Sequence, residues 1–211
     1  MVLSASFLSL NDKKLIKSLA KEQIDYLHLD IMDGKYVPNK TLPFETLKTY
    51  LEGINKPYDV HLMVEDVLSY VKTFQALKPE FITFHIDATN NILEIINYLK
   101  QNDIKVGLAL KPDESLDILE KYLDKIDLVL IMSVKPGKGG QKFIPSVLTK
   151  VEKLKKIKEE NNYQFLIEID GGINDKNIKD CLHCDMVVVG SFITSGDFKS
   201  RIEKLRSAYE V

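Results

Sequence analysis

The sequence predicts a closed α/β barrel of eight parallel strands, and two observations support that fold. Short runs rich in β-branched residues alternate with longer amphipathic stretches, and no linker or low-complexity tract interrupts them. Strands that alternate with helices are typical of a parallel sheet. Eight such units close a (β/α)8 TIM barrel, and a chain of 211 residues is long enough for one such domain. We therefore interpret residues 1–211 as a single domain.

Each predicted strand is a short apolar or alternating run, and a stretch with helical spacing of apolar residues follows it. The strands are expected at residues 2–8, 25–31, 58–63, 81–86, 105–110, 128–134, 164–170 and 185–190. The helices are expected near residues 11–22, 44–53, 65–77, 91–102, 115–124, 145–160, 174–183 and 197–209. A doubly wound open sheet is the alternative, but it usually has fewer units and a glycine-rich first turn. The first strand here runs into FLSLND, which contains no glycine, so we favour the barrel.

Composition and charge argue against several classes of function. The formal net charge is -2, whereas binding to nucleic acid or to an anionic membrane calls for a basic face. No apolar run approaches the roughly 20 residues of a membrane span, and the first residues lack the pattern of a secretion signal. The lysine-rich stretch 150–162 is interleaved with acidic residues and fits a solvated outer helix. We expect a soluble, cytoplasmic protein that binds neither nucleic acid nor membranes.

The two cysteines, Cys181 and Cys184, form a CxxC pattern in the segment CLHC. Such a pattern can be half of a zinc site or a redox pair. Here there is no second cysteine pair, and the motif lies within a predicted helix rather than opening one after a strand. We therefore interpret them as two reduced, structural thiols.

Ionisable residues stand in the middle of several predicted strands, and their alternation places them on one face. Side chains alternate across a strand with a period of two. In YLHLDIM, His28 and Asp30 lie opposite Leu27 and Leu29. In a barrel the apolar face packs under the helices, so the polar face points inward, near the strand ends where barrel active sites form. The same alternation directs inward Ser4, Ser6, Asp59, His61, His85, Glu168 and Asp170.

Four of these residues predict a metal site. An unpaired buried carboxylate costs several kcal/mol, and two neighbouring carboxylates repel, but a bound cation removes both penalties. His28, Asp30, His61 and Asp170 offer two nitrogen and two oxygen ligands from three strands. This set suits one divalent ion of zinc, iron(II), cobalt or manganese better than calcium or magnesium. Taken singly, each residue also fits a hydrogen-bonded core position, so the prediction depends on their convergence.

Three glycine clusters follow the last three predicted strands. They are VKPGKGGQ at 134–141, DGG at 170–172 and VGS at 189–191. Glycine lets backbone N–H groups approach an anion, and barrels often bind phosphate with the loops after strands seven and eight. The sequence therefore predicts a phosphorylated small molecule held against a metal that two aspartates flank.

The same residues make the chain similar to the ribulose-phosphate 3-epimerases over essentially its whole length. The matching segments are SFLS, HLDIMDGKYVPN, DVHLMV, LVLIMSVKPGKGGQKFIP, IEIDGGI and VVVGSFI. The resemblance implies a TIM barrel of the ribulose-phosphate-binding type. It also implies that His28, Asp30, His61 and Asp170 bind one divalent metal, and that Asp30 and Asp170 are the catalytic acid and base. The substrate-binding residues that it implies are Ser6, His61, Gly137, Gly139, Gly140, Gly171, Gly172, Gly190 and Ser191.

The chain departs from the family pattern outside these positions. Ala5 replaces the usual proline before Ser6, and Lys135 and Lys138 replace the asparagine and phenylalanine of NPGFGGQ. The usual glycine is missing from VPNKTLPFE, so the loop after Pro38 is expected to differ in shape. Lys138 could strengthen phosphate binding, but a side chain that simply faces water is the simpler interpretation.

The implied activity is the reversible epimerisation of D-ribulose 5-phosphate to D-xylulose 5-phosphate. One aspartate would take a proton from carbon 3 and the other would return it on the opposite face, while the metal stabilises the enediolate. Met32, Met63 and Met132 either line this site or fill the core. We expect a phosphorylated ketopentose as substrate and further copies of the chain as partners in a homo-oligomer.

Three other functions fit parts of the same pattern. The first is a D-allulose-6-phosphate 3-epimerase, which would share every motif. The second is a metal-free barrel decarboxylase with a D-x-K-x-x-D signature, which Asp33 and Lys35 begin but in which Pro38 occupies the last place. The third is a non-catalytic phospho-sugar-binding barrel, which retention of both aspartates and both histidines disfavours.

Overall fold

The strands form one closed barrel in a computed structural model that describes residues 1–209. Every strand pairs in parallel with its neighbour in the chain, and the eighth pairs with the first. The predicted fold is therefore confirmed, although several strands are one or two residues shorter than expected. The strands are β1 Val2–Ser6, β2 Tyr26–Met32, β3 Tyr58–Met63, β4 Phe81–His85, β5 Lys105–Leu110, β6 Leu128–Met132, β7 Leu166–Asp170 and β8 Met186–Val189.

Helices surround the barrel and connect its strands. The α-helices are α1 Lys13–Leu19, α2 Phe44–Leu51, α3 Val67–Phe74, α4 Ile92–Gln101, α5 Leu148–Glu160, α6 Ser191–Thr194 and α7 Phe198–Tyr209. Short 3-10 helices span Gln75–Leu77, Ile86–Ala88, Leu116–Tyr122, Pro145–Val147 and Ile178–Cys181. None of the helices within the described residues is both long and apolar enough to cross a membrane.

Two of the predicted helices need correction, because the segments 115–124 and 174–183 contain the 3-10 helices Leu116–Tyr122 and Ile178–Cys181 in place of α-helices. In the second segment, Asn174 Oδ1 accepts from the Lys176 backbone N–H at 2.9 Å, and Asn177 Oδ1 accepts from the Asn174 N–H at 2.8 Å. Such local side-chain bonds compete with the α-helical pattern. In the first segment the Ser115 hydroxyl accepts from the Asp117 N–H at 3.4 Å, which again favours a tight turn.

The structure also shows the expected outer helix at α5 and places both cysteines in buried positions. Val151 and Leu154 form the buried stripe of α5, and its charged residues are exposed or half-buried. Cys181 and Cys184 are buried, free thiols in the hydrophobic core between barrel and helices. Burial raises the pKa of Cys181 to about 12. A thiol held in its neutral form is a poor nucleophile and metal ligand, which fits a structural role.

The interior of the barrel is divided between an apolar part and a polar part. The apolar part comprises Phe81, Ala109, Leu128, Leu130, Met132, Val134 and Met186. The polar part comprises the fully or almost fully buried side chains of Ser4, Ser6, His28, Asp59, His61, Thr83, His85 and Glu168. The polar side chains come from β1 to β4 and β7, as the alternation of residues along these strands predicts.

The register between strands sets which polar side chains become neighbours. His28 on β2 pairs with Asp59 on β3, and Asp30 pairs with His61 one pleat further along. On the other side of the barrel, Asp170 is the last residue of β7. Because all the strands run in the same direction, their carboxyl-terminal side chains collect at one end of the barrel.

Candidate active site

Four predicted ligand residues converge at the carboxyl-terminal end of the barrel. One nitrogen or carboxylate oxygen from each of His28, Asp30, His61 and Asp170 lies within 4.8 Å of all the others. Asp30 Oδ1 is 3.4 Å from His28 Nε2 and 3.3 Å from His61 Nδ1. Asp170 Oδ2 lies 4.0 Å from the same His61 nitrogen. The structure therefore brings together, from β2, β3 and β7, the donor set that suits a transition-series divalent ion.

The surroundings of His28 fit this interpretation. Its Nε2 atom is fully buried and has no hydrogen-bond partner among the described residues. Its Nδ1 atom lies 2.6 Å from Asp59 Oδ2, which also accepts a hydrogen bond from the Ser4 hydroxyl at 2.9 Å. Because Nδ1 faces Asp59, the ring turns Nε2 toward the site, where a bound cation would take its lone pair. A carboxylate behind a histidine is the usual support for a metal ligand, so these residues fit a divalent cation.

The two carboxylates of the cluster have opposite electrostatic environments. Burial acts to raise the pKa of Asp30, but His28 and His61 outweigh it and hold the pKa well below its usual range. Burial and the charge of Asp30 together raise the pKa of Asp170 to about 6. For the side chains alone, Asp30 is therefore a stable anion, whereas Asp170 exchanges its proton close to neutral pH. Pairs of acids with separated pKa values are typical of acid–base sites.

A second buried acid lies below the cluster. Glu168 is completely buried on β7, and a carboxylate oxygen of Glu168 lies within 4.8 Å of one from Asp59 and of a nitrogen of His28. Burial and the neighbouring Asp59 charge raise the pKa of Glu168 well above its usual range. The raised pKa favours the protonated, uncharged form of Glu168 beside the Asp59 carboxylate, which limits the repulsion in the barrel interior.

A cavity of about 750 Å³ opens directly above the two aspartates. This volume lies within the range of small-ligand pockets. All the predicted substrate-contacting residues except His61 line it, as do Met32 and Met63. His61 lies fully buried in the cluster at its base. Met132 packs in the apolar half of the barrel interior, beside Asp170 in the strand register. The predicted site residues among its lining are Ser6, Asp30, Met32, Met63, Gly137, Gly139, Gly140, Asp170, Gly171, Gly172, Gly190 and Ser191.

The glycine-rich loops at the cavity pack so closely that a side chain would not fit at one key position. Gly172 has a φ of +66°, and a Cβ there would stand 2.5 Å from the Phe143 nitrogen and 2.7 Å from the Gln141 oxygen. The loop after β7 therefore lies directly against the backbone of the loop after β6. Asn39 donates a hydrogen bond of 2.7 Å to the Gly137 carbonyl and ties the loop after β2 to the same wall.

Sequence reasoning assigned no role to two residues that contact the cluster, Asp59 and His85. Asp59 bonds His28, and His85 Nε2 lies 3.0 Å from His61 Nε2. The alternation along β3 and β4 directs both side chains inward, and this is the signal that the sequence offers. The exposed Lys138 lines the cavity, and its carbonyl accepts a hydrogen bond of 2.7 Å from the Gln141 side chain.

Solved structures share this barrel at low sequence identity. KGPDC from Streptococcus mutans superimposes with a TM-score of 0.71 at 15% identity, covering 99% of this chain and 97% of the other. The 3-hexulose-6-phosphate synthase of Salmonella typhimurium superimposes with a TM-score of 0.72 at 17% identity, covering 100% and 99%. The fold and the site together define a (β/α)8 barrel with a centre of paired histidines and carboxylates.

Sequence comparison is more specific. Residues 1–194 match the family described as the Ribulose-phosphate 3 epimerase family. The ribulose-phosphate 3-epimerase of Buchnera aphidicola subsp. Acyrthosiphon pisum is 39% identical over 215 residues, covering 99% of this chain and 92% of the relative. The ribulose-phosphate 3-epimerase of Escherichia coli strain K12 is 39% identical over 210 residues, covering 98% of this chain and 92% of the relative. The chain belongs to the ribulose-phosphate 3-epimerase family, whose members are isomerases that act on pentose phosphates.

Proposed function

We propose that the chain interconverts D-ribulose 5-phosphate and D-xylulose 5-phosphate, with Asp30 and Asp170 as its two acid–base groups. Inversion at carbon 3 requires that a proton leave one face of the substrate and return on the other. The observation that carries the proposal is the pair of carboxylates from β2 and β7 that share one cavity floor. Two such groups can serve opposite faces of one carbon without either moving.

The proposal includes one divalent ion of zinc, iron(II), cobalt or manganese, held by His28, Asp30, His61 and Asp170. When bound, the ion supplies positive charge that stabilises negative charge developing on the substrate oxygens. The unpartnered, buried Nε2 atom of His28 and the mixed nitrogen–oxygen donor set support this assignment.

The remaining residues would position the substrate and exclude water. Ser6 donates a hydrogen bond of 2.7 Å to Asp30 Oδ2 and lines the cavity, so it can orient both the aspartate and a substrate hydroxyl. Met32 and Met63 add an apolar wall that limits stray protonation. The glycine-rich loops after β6, β7 and β8 supply backbone N–H groups for the phosphate. A cytoplasmic location and a homo-oligomeric state stay predictions from the sequence.

Replacement of Asp170 by asparagine tests the two-base assignment. Net conversion of ribulose 5-phosphate to xylulose 5-phosphate should fall by about 100-fold to 10,000-fold, because one face then lacks its acid. Exchange of the carbon-3 proton with deuterated solvent should survive in part through Asp30. Asp180→Asn, which alters an exposed aspartate between β7 and β8, is the matched control and should keep full activity.

Retention of more than about a tenth of the wild-type turnover by Asp170→Asn would contradict the assignment. Such a result corresponds to a barrier increase of less than about 1.4 kcal/mol, which is too small for the loss of a required proton donor.

A further inference from the structure

The two histidines of the proposed metal site turn different nitrogens toward it. His28 approaches Asp30 Oδ1 with Nε2, at 3.4 Å, whereas His61 approaches the same oxygen with Nδ1, at 3.3 Å. A neutral imidazole offers a lone pair on one nitrogen only when its proton is on the other. Each ring therefore needs a hydrogen-bond acceptor on the side that faces away from the site.

The group on that side of His28 is the Asp59 carboxylate, and on that side of His61 it is another histidine. His61 Nε2 lies 3.0 Å from His85 Nε2, and both rings are fully buried. Two neutral rings at this distance form one hydrogen bond, in which one ring donates and the other accepts. If His85 donates, the His61 proton stays on Nδ1, against Asp30, where it blocks a metal ion. If His61 donates, its Nδ1 atom is free.

The position of His85 is held by its neighbours, but its tautomer is not. Its ring centroid lies 5.2 Å from that of Tyr36, whose hydroxyl donates a hydrogen bond of 2.6 Å to Asp87. Lys111 pairs with the same Asp87 and lies 4.8 Å from the centre of the Tyr36 ring. The Nδ1 atom of His85 is buried and has no hydrogen-bond partner among residues 1–209. The His61 contact is therefore the only hydrogen bond at either nitrogen of His85 within those residues.

We propose that His85 is a positioning residue whose Nε2 atom accepts the proton of His61, so that His61 presents its Nδ1 lone pair to the metal. The inference rests on the proposed metal site and adds to it a residue on a fourth strand, β4. It also assigns a tautomer to each buried ring: a proton on Nδ1 of His28, on Nε2 of His61 and on Nδ1 of His85.

Nitrogen-15 NMR of the zinc-loaded protein tests the tautomers without any substitution. The chain has four histidines, so long-range proton–nitrogen correlations can be assigned ring by ring. We expect His61 to carry its proton on Nε2 and His85 on Nδ1. A zinc-loaded protein in which His85 carries its proton on Nε2 would overturn the proposal.

Zinc affinity tests the function of the contact, measured by competition with a chromophoric chelator. His85→Leu removes the acceptor at similar volume and should weaken zinc binding by about 10-fold to 100-fold. His85→Gln places an amide oxygen where the ring Nε2 stood and should restore affinity to within about threefold of wild type. Thr83→Val changes another buried polar side chain of β4 and should leave affinity unchanged.

The outcomes separate this proposal from the metal site itself. A folded His85→Leu variant with affinity within about twofold of wild type would refute the role of His85, and so would a glutamine variant as weak as the leucine one. If His61→Ala binds zinc as tightly as the wild type, the proposed metal site fails instead. Far-UV circular dichroism checks the fold of each variant, and the NMR measurement decides the question if His85→Leu does not fold.

Discussion

Replacement of Asp170 by asparagine should make the metal-free protein more stable while it destroys activity. The Asp170 side chain is 16% exposed, and burial together with the Asp30 charge raises its pKa from 3.8 to about 6. The folded state therefore binds a proton more tightly than the unfolded chain does. The stability that this group contributes is lost as the pH rises from 3.8 to about 6. Above that window there is no further loss. One pKa unit corresponds to about 1.36 kcal/mol, so at pH 8 the ionised Asp170 lowers the free energy of unfolding by about 3 kcal/mol.

Asp30→Asn is the matched control, and its effect should have the opposite sign. Asp30 contacts the rings of His28 and His61 and accepts a hydrogen bond from Ser6. Although burial opposes them, these partners hold the pKa of Asp30 well below its ordinary value. Its charge therefore stabilises the fold above the ordinary aspartate pKa, and this contribution disappears when the charge is removed.

Urea unfolding of the chelator-treated proteins between pH 5 and pH 8 measures both effects. The free energy of unfolding of Asp170→Asn should exceed that of the wild type, with a difference that grows toward pH 8, and that of Asp30→Asn should fall below it. With zinc added, the wild type should gain more stability than either variant, because only it keeps all four proposed ligands. A variant at Asp170 that is no more stable than the wild type at pH 8 would refute the reasoning.

Three further predictions concern the metal, the phosphate loops and the substrate. Chelation should abolish activity but leave the far-UV circular dichroism unchanged, because the apolar core does not include the proposed ligands; loss of the spectrum would show a structural metal instead. Gly172→Ala should raise the KM for the sugar phosphate by about tenfold or more, because its Cβ would meet the backbone of Phe143 and Gln141. Gly53→Ala is the control and should leave KM unchanged. Gly53 also has a positive φ, +76°, but the atom nearest to an added Cβ, Lys17 Nζ, is 3.9 Å away. Ribulose 5-phosphate should be preferred over allulose 6-phosphate in kcat/KM by about 100-fold. The reason is that one extra carbon between the phosphate loops and the two carboxylates displaces the reacting centre by about 1 Å. A higher kcat/KM for the hexulose would contradict this assignment.

The sequence by itself determined the order of elements and the face on which each strand residue lies. Alternation with a period of two is a local property, so His28 and Asp30 could be directed inward and Leu27 and Leu29 outward without knowledge of the neighbouring strands. Eight repeated strand–helix units then left few ways to bury the apolar faces. The 3-10 segments were missed because asparagine and serine side chains compete with helical hydrogen bonds through individual contacts, which an apolar period does not show.

Only the tertiary structure decided which polar groups touch and through which atoms. The pairing of Asp30 with His61 depends on the register between β2 and β3, and the approach of Asp170 depends on closure of the barrel. The opposite pKa shifts of the two aspartates follow from these distances, because Coulomb energy and burial are properties of positions in space. The chain order alone could not show that Asp59 supports one histidine and His85 the other, since each contact joins residues from different strands.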